Sequence, residues 1–144
     1  MKYGSHIIEK KEYVYMKRLL NISGYDHTLA HKMALEKLAL KLEDSIIVDE
    51  EEMPADIVRL NSKLIIKSIS NSSTMPLQIV IPMEEDLRNQ KLSVLSPLPV
   101  ALIGYSEGDI VALAFTNETT ASYVIQKVKQ DIEAHKIDIP ILFL

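Results

Sequence analysis

Two histidines four residues apart, His27 and His31 in "HTLAH", are the first residues of this chain whose spacing suggests chemistry. On a helix that interval puts both imidazoles on one face, as in the two zinc ligands of a metalloprotease helix. Such a site also needs a general-base glutamate and a third ligand. Thr28 stands where the glutamate would be and no third ligand is evident, so the pair reads as one surface histidine and one at a packing seam. The run "DEEE" at residues 49–52 could collect a hard cation. It lacks the spacing and the glycine of a calcium loop and reads as a solvated linker. Asp26 fits a helix cap, and one carboxylate alone is a poor magnesium site.

The remaining reactive classes are excluded by composition. Cysteine is absent, which removes disulfides, thiolate nucleophiles and cysteine metal sites. Four glycines are too few to build a phosphate cradle, and no phosphate loop, dinucleotide fingerprint or nucleophile elbow occurs. With no tryptophan and two phenylalanines, a base-stacking platform is not expected. No catalytic residue, metal or cofactor is therefore expected.

The elements that would position any site divide the chain near residue 50. Residues 9–20 place Tyr13, Met16, Leu19 and Leu20 at helical spacing. "NISGYD" then breaks the pattern: Gly24 suits a left-handed stop and Asp26 the next N-cap. Residues 27–43 predict a second helix with His31, Leu35, Leu38 and Leu42 on one stripe. Leu29, Met33 and Leu40 would widen that stripe, while Lys32, Glu36, Lys37 and Lys41 lie outside it. The pair reads as a short antiparallel hairpin with Asp26 at its tip. Its excess of bases, Lys10, Lys11, Lys17, Arg18, Lys32, Lys37 and Lys41, is read as a solvated face. Residues 43–52 then carry six acids and no base, and Pro54 follows. The expected domains are a hairpin over residues 1–46 and a sheet domain over 47–144.

The second part reads as strands at 62–69, 77–81, 91–95, 109–115 and 121–128. "SNSSTMP" and "TNETT" are turn material, and the last two strands make a predicted hairpin. One short helix is expected, with Ser96 capping it, Pro97 at its first position and Gly104 at its end. No crossover helix of useful length separates the strands, so most should pair antiparallel. The fold class is α+β.

The chain has 144 residues and a net charge of -4, which gives no bulk attraction to nucleic acid or to an anionic membrane. The start has no apolar segment of signal-peptide type, and no apolar run approaches the roughly 20 residues that span a bilayer. A prokaryotic cytoplasm is the expected location. The triplets at Asn21, Asn71 and Asn117 that resemble glycosylation acceptors are then accidental. A chain of this kind works by binding.

One stretch stands apart: "LSVLSPLPVALIGYSEGDIV", residues 92–111. A strand leads into Ser-Pro, then a short helix ending in Ala-Leu-Ile-Gly, then a Gly-Asp turn into a strand. Through Ser93, Val94, Ser96, Pro97, Ala101, Leu102, Ile103, Gly104, Gly108 and Asp109 it resembles the C-terminal domain of the Gre transcript-cleavage factors. A second block at 51–64, with Met53, Pro54, Asp56, Ile57, Val58, Asn61 and Ser62, is similar to a short-armed subgroup, the regulators of nucleoside diphosphate kinase.

The resemblance implies an FKBP-like, largely antiparallel sheet with one short helix. It implies a non-enzymatic regulator that docks on bacterial RNA polymerase near the secondary channel and meets nucleic acid only through the polymerase. Ser96 and Pro97, flanked by Leu95 and Leu98, become the polymerase-binding residues. Gre factors hold magnesium with two acids at the tip of a longer coiled coil. This shorter hairpin offers Asp26 alone, so no transcript cleavage is expected. Pro99 sits where the family often has a small residue, and Leu95 replaces a residue often polar there. The apolar tail "HKIDIPILFL" is expected to pack on the body or on a second copy, giving at most a weak homo-oligomer. The alternative implied by the fold class is an FKBP-type prolyl isomerase or peptide binder, whose pockets are lined with aromatics.

Overall fold

Alternation of apolar and polar residues builds the main sheet. In the computed structural model, which describes residues 1–22, 29–114 and 120–131, the chain opens with β1 (Ile7–Glu9), α1 (Lys10–Ile22), α2 (Leu29–Asp44) and β2 (Ile46–Val48). Then follow β3 (Lys63–Ser68), β4 (Thr74–Val80), β5 (Lys91–Ser93), α3 (Pro97–Leu102), β6 (Ile110–Ala114) and β7 (Thr120–Lys129). Five strands form one sheet in the order β5-β4-β3-β7-β6. Leu64, Ile66, Leu77, Ile79 and Ile125 point to its buried face. Lys63 and Ile65 point outward. Between Ile65 and Ile66 the register against β7 slips by one residue, leaving Gln126 as the extra residue of a bulge.

The α+β architecture is as expected, with two differences in pairing. β4 and β5 run parallel, Gln78 opposite Lys91 and Val80 opposite Ser93. Two 3-10 turns, Pro82–Glu84 and Leu87–Asn89, supply the crossover. A parallel edge pair of three residues needs no long helix, so the lack of one in the sequence does not exclude it. β5 also stops at Ser93 and not at residue 95, because the Ser96 N–H turns back to the Ser93 carbonyl at 2.9 Å. The second difference is a two-stranded parallel sheet of β1 and β2, Ile7 opposite Ile46, which straps the two ends of the hairpin together. Three-residue strands are too short to show alternation.

The hairpin helices bury a narrower stripe than their composition offers. Tyr15, Met16 and Leu19 of α1 and Ala34, Leu38 and Leu42 of α2 are buried. Leu29, Met33 and Leu40, expected to widen the α2 stripe, are exposed. α2 is pressed between α1 and α3, and those seams cover only part of its circumference. One apolar cluster runs across the charge boundary: Met16, Leu38 and Leu42 pack in the same core as Leu64, Ile79, Val100 and Leu102. No helix among the described residues is long and apolar enough to cross a membrane.

Candidate functional site

The turn between β5 and α3 is pinned by one carboxylate. Glu85 Oε2 accepts the Ser93 N–H at 3.0 Å and the Ser96 hydroxyl at 3.4 Å. Ser93 Oγ accepts the Leu95 N–H at 3.2 Å. Ser96 stands at the N-cap but makes no side-chain bond to the helix, contrary to expectation. The physical reason lies three residues on. A serine cap bonds the N–H of the second or third helical residue, and the third here is Pro99, which has none. Pro97, at the first helical position, is exposed, while Leu95, Ser96 and Leu98 are half-buried. Leu95 and Leu98 lean on the core and leave the proline as the apex of the corner. Pro99 is buried, and its carbonyl accepts the Ile103 N–H at 3.0 Å.

The other end of α3 is closed by a lysine from the hairpin. Lys41 Nζ donates to the carbonyls of Val100 at 2.6 Å, Ala101 at 3.0 Å and Ile103 at 2.8 Å. It also lies 5.1 Å from the centre of the Tyr105 ring. A short helix ends in carbonyls that lack intrahelical partners, and an ammonium with three protons satisfies three of them. Burial pushes the Lys41 amine down to about 7. The three carbonyls and the aromatic face favour the charged form. Lys41 was expected on the solvated face; its long stem instead carries the charge into the seam between α2 and α3.

Behind this cap the chain comes close to itself. Gly104 has φ +87°, and a Cβ there would lie 2.9 Å from His6 Cβ. Ile7 N–H donates to the Gly104 carbonyl at 3.2 Å, and Gly104 N–H to the Val58 carbonyl at 2.9 Å. His6 meets Tyr105 edge to face at 4.5 Å, and burial lowers its pKa to about 4, so the ring is neutral at pH 7. Asp109 accepts the Ser106 N–H at 2.8 Å and its hydroxyl at 2.9 Å, tightening the Gly108-Asp109 turn.

A second clamp fixes α1. Arg59 is buried and pairs bidentately with Glu50, at 2.7 and 2.8 Å, and with Glu12, whose Oε2 accepts from Nε at 2.8 Å and also from Nη2. Glu12 Oε1 accepts the Leu60 N–H at 3.0 Å. Glu9 caps α1, accepting the Lys11 N–H at 2.9 Å and the Glu12 N–H at 3.1 Å. Oxygens of Glu9, Glu12 and Glu50 lie within 4.8 Å of one another, a set that could ligate a metal, and Arg59 supplies counter-charge to it. Burial pushes Glu12 up to about 7, against the pull of Arg59 and the Leu60 N–H. For Arg59, burial is outweighed by its bonds to Glu50 and the charge of Glu12, which hold the guanidinium above its usual range.

The corner residues Leu95, Ser96, Pro97 and Leu98 therefore come together as a local unit. Asp26 and His27 lie outside the described residues, as do Asn117 and the tail 135–144. His31 is half-buried on α2. The acidic run is more than a linker: Glu50 belongs to the Arg59 clamp. Lys41, Glu85 and Arg59 were missed as structural determinants. Only Arg59 had a signal, its place inside the block at 51–64.

The family described as "Transcription elongation factor, GreA/GreB, C-term" matches residues 53–130. Transcription elongation factor GreA of Clostridium beijerinckii is 39% identical over 93 residues, 62% of this chain and 58% of that protein. The regulator of nucleoside diphosphate kinase of Escherichia coli is 30% identical over 76 residues, 53% of this chain and 56% of that protein. The chain thus spans about half to three-fifths of the length of these curated relatives. A solved prokaryotic transcription elongation factor GreA/GreB from Nitrosomonas europaea superposes with a TM-score of 0.70 at 23% identity, covering 87% of this chain and 99% of that one, a likeness of fold.

Proposed function

We infer the role of this chain from its membership: it belongs to the transcription elongation factor family defined by the GreA/GreB C-terminal domain. It acts as a non-enzymatic regulator of transcription that binds bacterial RNA polymerase near the mouth of the secondary channel. Leu95, Ser96, Pro97 and Leu98 make the contact. It does not stimulate transcript cleavage, and it reaches nucleic acid only through the polymerase.

One observation supports the corner as the docking element: an exposed proline heads a short helix that is tied at both ends, by Glu85 before it and Lys41 after it. A rigid apex loses little conformational freedom on binding, which favours affinity. The arm supports the absence of cleavage. α1 has 13 residues and α2 has 16. At 1.5 Å per residue these are about 20 and 24 Å long. Asp26 is the lone acid of the segment between them, short of a two-carboxylate magnesium grip.

Binding of the purified protein to core RNA polymerase tests the reading, with the Ser96→Asp, Pro97→Ala double variant beside it. Binding that the variant loses, competition with a cleavage factor, and no shortening of transcripts in arrested complexes are the expected results. Binding unchanged in the variant moves the contact away from the corner. No binding at micromolar concentration removes polymerase as the partner.

A further inference from the structure

The outward face of the main sheet, turned away from α3, carries a row of three lysines and a glutamine in register across four strands. Lys91 on β5 lies opposite Gln78 on β4, Gln78 opposite Lys63 on β3, and Lys63 opposite Lys129 on β7. The neighbouring row runs Pro76, Ile65, Lys127. Both rows line one groove of about 560 Å³.

Like charges directly opposite on paired strands repel and destabilise a sheet. Lys63 and Lys129 nonetheless face each other, with side chains roughly 5 Å apart at their bases. Among the described residues none of the four lysines makes an ion pair. Asp131 reaches one end, its carboxylate 3.5 Å from Gln78 Nε2, and among the described residues no acid lines the groove beside its four lysines. In a chain of net charge -4 this is a local reversal of sign. The floor is aliphatic, since Ile65 and Pro76 are both exposed there.

We propose that this groove binds an acidic polypeptide segment with aliphatic side chains among its carboxylates. Lysines around an apolar floor match the polar rim and apolar centre of a protein interface. Nucleic acid is disfavoured by the same residues. Among the described residues no aromatic side chain and no arginine lines the groove, so bases have nothing there to stack on and phosphates no guanidinium fork. The groove lies on the sheet face opposite the docking corner, so this contact is independent of the one inferred for Leu95–Leu98.

The test uses the full chain and a fluorescein-labelled twelve-residue peptide repeating Glu-Glu-Leu-Glu-Glu-Ile. An all-glutamate peptide and a single-stranded RNA of equal length serve as competing probes. Saturable binding of the mixed peptide is expected, weakening with salt and falling roughly tenfold or more in Lys63→Glu, Lys129→Glu. Ile65→Asp should weaken it too, while Lys17→Glu on α1 leaves it unchanged. All substituted positions are exposed, and thermal melting confirms that each variant is folded. Absence of saturable binding, equal binding by the lysine variant, or tighter binding of either competing probe would overturn the proposal.

Discussion

Lys41 Nζ lies 2.6 Å from the carbonyl oxygen of Val100, a residue 59 positions further along the chain. Through that bond the hairpin caps the helix that begins at the Ser96-Pro97 corner. Lys41→Met keeps most of the apolar stem and removes the donors. Leaving buried carbonyls unsatisfied should cost about 2–3 kcal/mol in urea unfolding, with faster amide exchange in residues 100–105. A loss below about 0.5 kcal/mol would mean that water replaces the ammonium at no cost.

The same lysine sets a pH dependence. Its folded pKa is lowered to about 7 from 10.5. Between those values the unfolded chain binds more protons than the folded one, so stability rises with pH across that window. Below the window both states are protonated and the contribution is flat. Urea midpoints of the native chain should rise from pH 7 towards pH 10 relative to those of Lys41→Met. Parallel curves for the two proteins would show that the amine titrates normally.

Arg59 holds two carboxylates, one from α1 and one from the acidic turn. Arg59→Met strands Glu12 in the interior, and breaking a buried pair costs about 3–5 kcal/mol. Adding Glu12→Gln removes the orphaned charge and should restore more than half of the loss. A double variant no more stable than the single one would place the cost in packing and not in charge.

Two glycines with similar backbone angles should respond differently to alanine. Gly104 has φ +87° and Gly108 has φ +91°, but only at Gly104 would the new methyl group strike another side chain, that of His6. Gly108→Ala should cost the left-handed penalty alone, about 1 kcal/mol. Gly104→Ala should cost about 2 kcal/mol or more as well as shifting the His6 ring signals. Equal losses in thermal unfolding would refute the close approach.

Glu85 ties the Ser93–Ser96 turn without touching Pro97. Glu85→Ala should lower stability by only about 1 kcal/mol yet, by loosening the corner, weaken several-fold the polymerase binding proposed for it. Undiminished binding would show that the proline ring and its neighbours suffice.

The two family blocks and the strand alternation were legible because they are local. Leu64 and Ile66 repeat every second residue, and Ser-Pro followed by Ala-Leu-Ile-Gly marks its own helix. The clamps were not legible, because each joins residues far apart in sequence. A lysine flanked by leucines on a helix reads as solvent-facing until a second helix end is brought against it. Glu50 likewise reads as one acid of a charged run until Arg59 turns back to it. Ser96 failed as a cap for a reason visible in the sequence: with the helix read as starting at Pro97, Pro99 is its third residue and has no N–H to offer.

The bulge at Gln126 changes how insertions and deletions would act on β7. Strict alternation after Ile125 would turn Lys127 and Lys129 towards the core; the extra residue reverses that parity and leaves them outward. Deleting Gln126 would join Ile125, opposite Ile66, directly to Lys127, opposite Ile65, in an unbroken ladder with both lysines still outward. A second insertion also allows strict alternation with both lysines outward, but in an unbroken ladder it would slide Lys127 from Ile65 to Lys63. The position is therefore asymmetric in register and not in parity: shortening by one keeps the pairing with β3, and lengthening by one shifts it. What the existing residue adds is a local bend and a stronger twist in the strand that edges the groove.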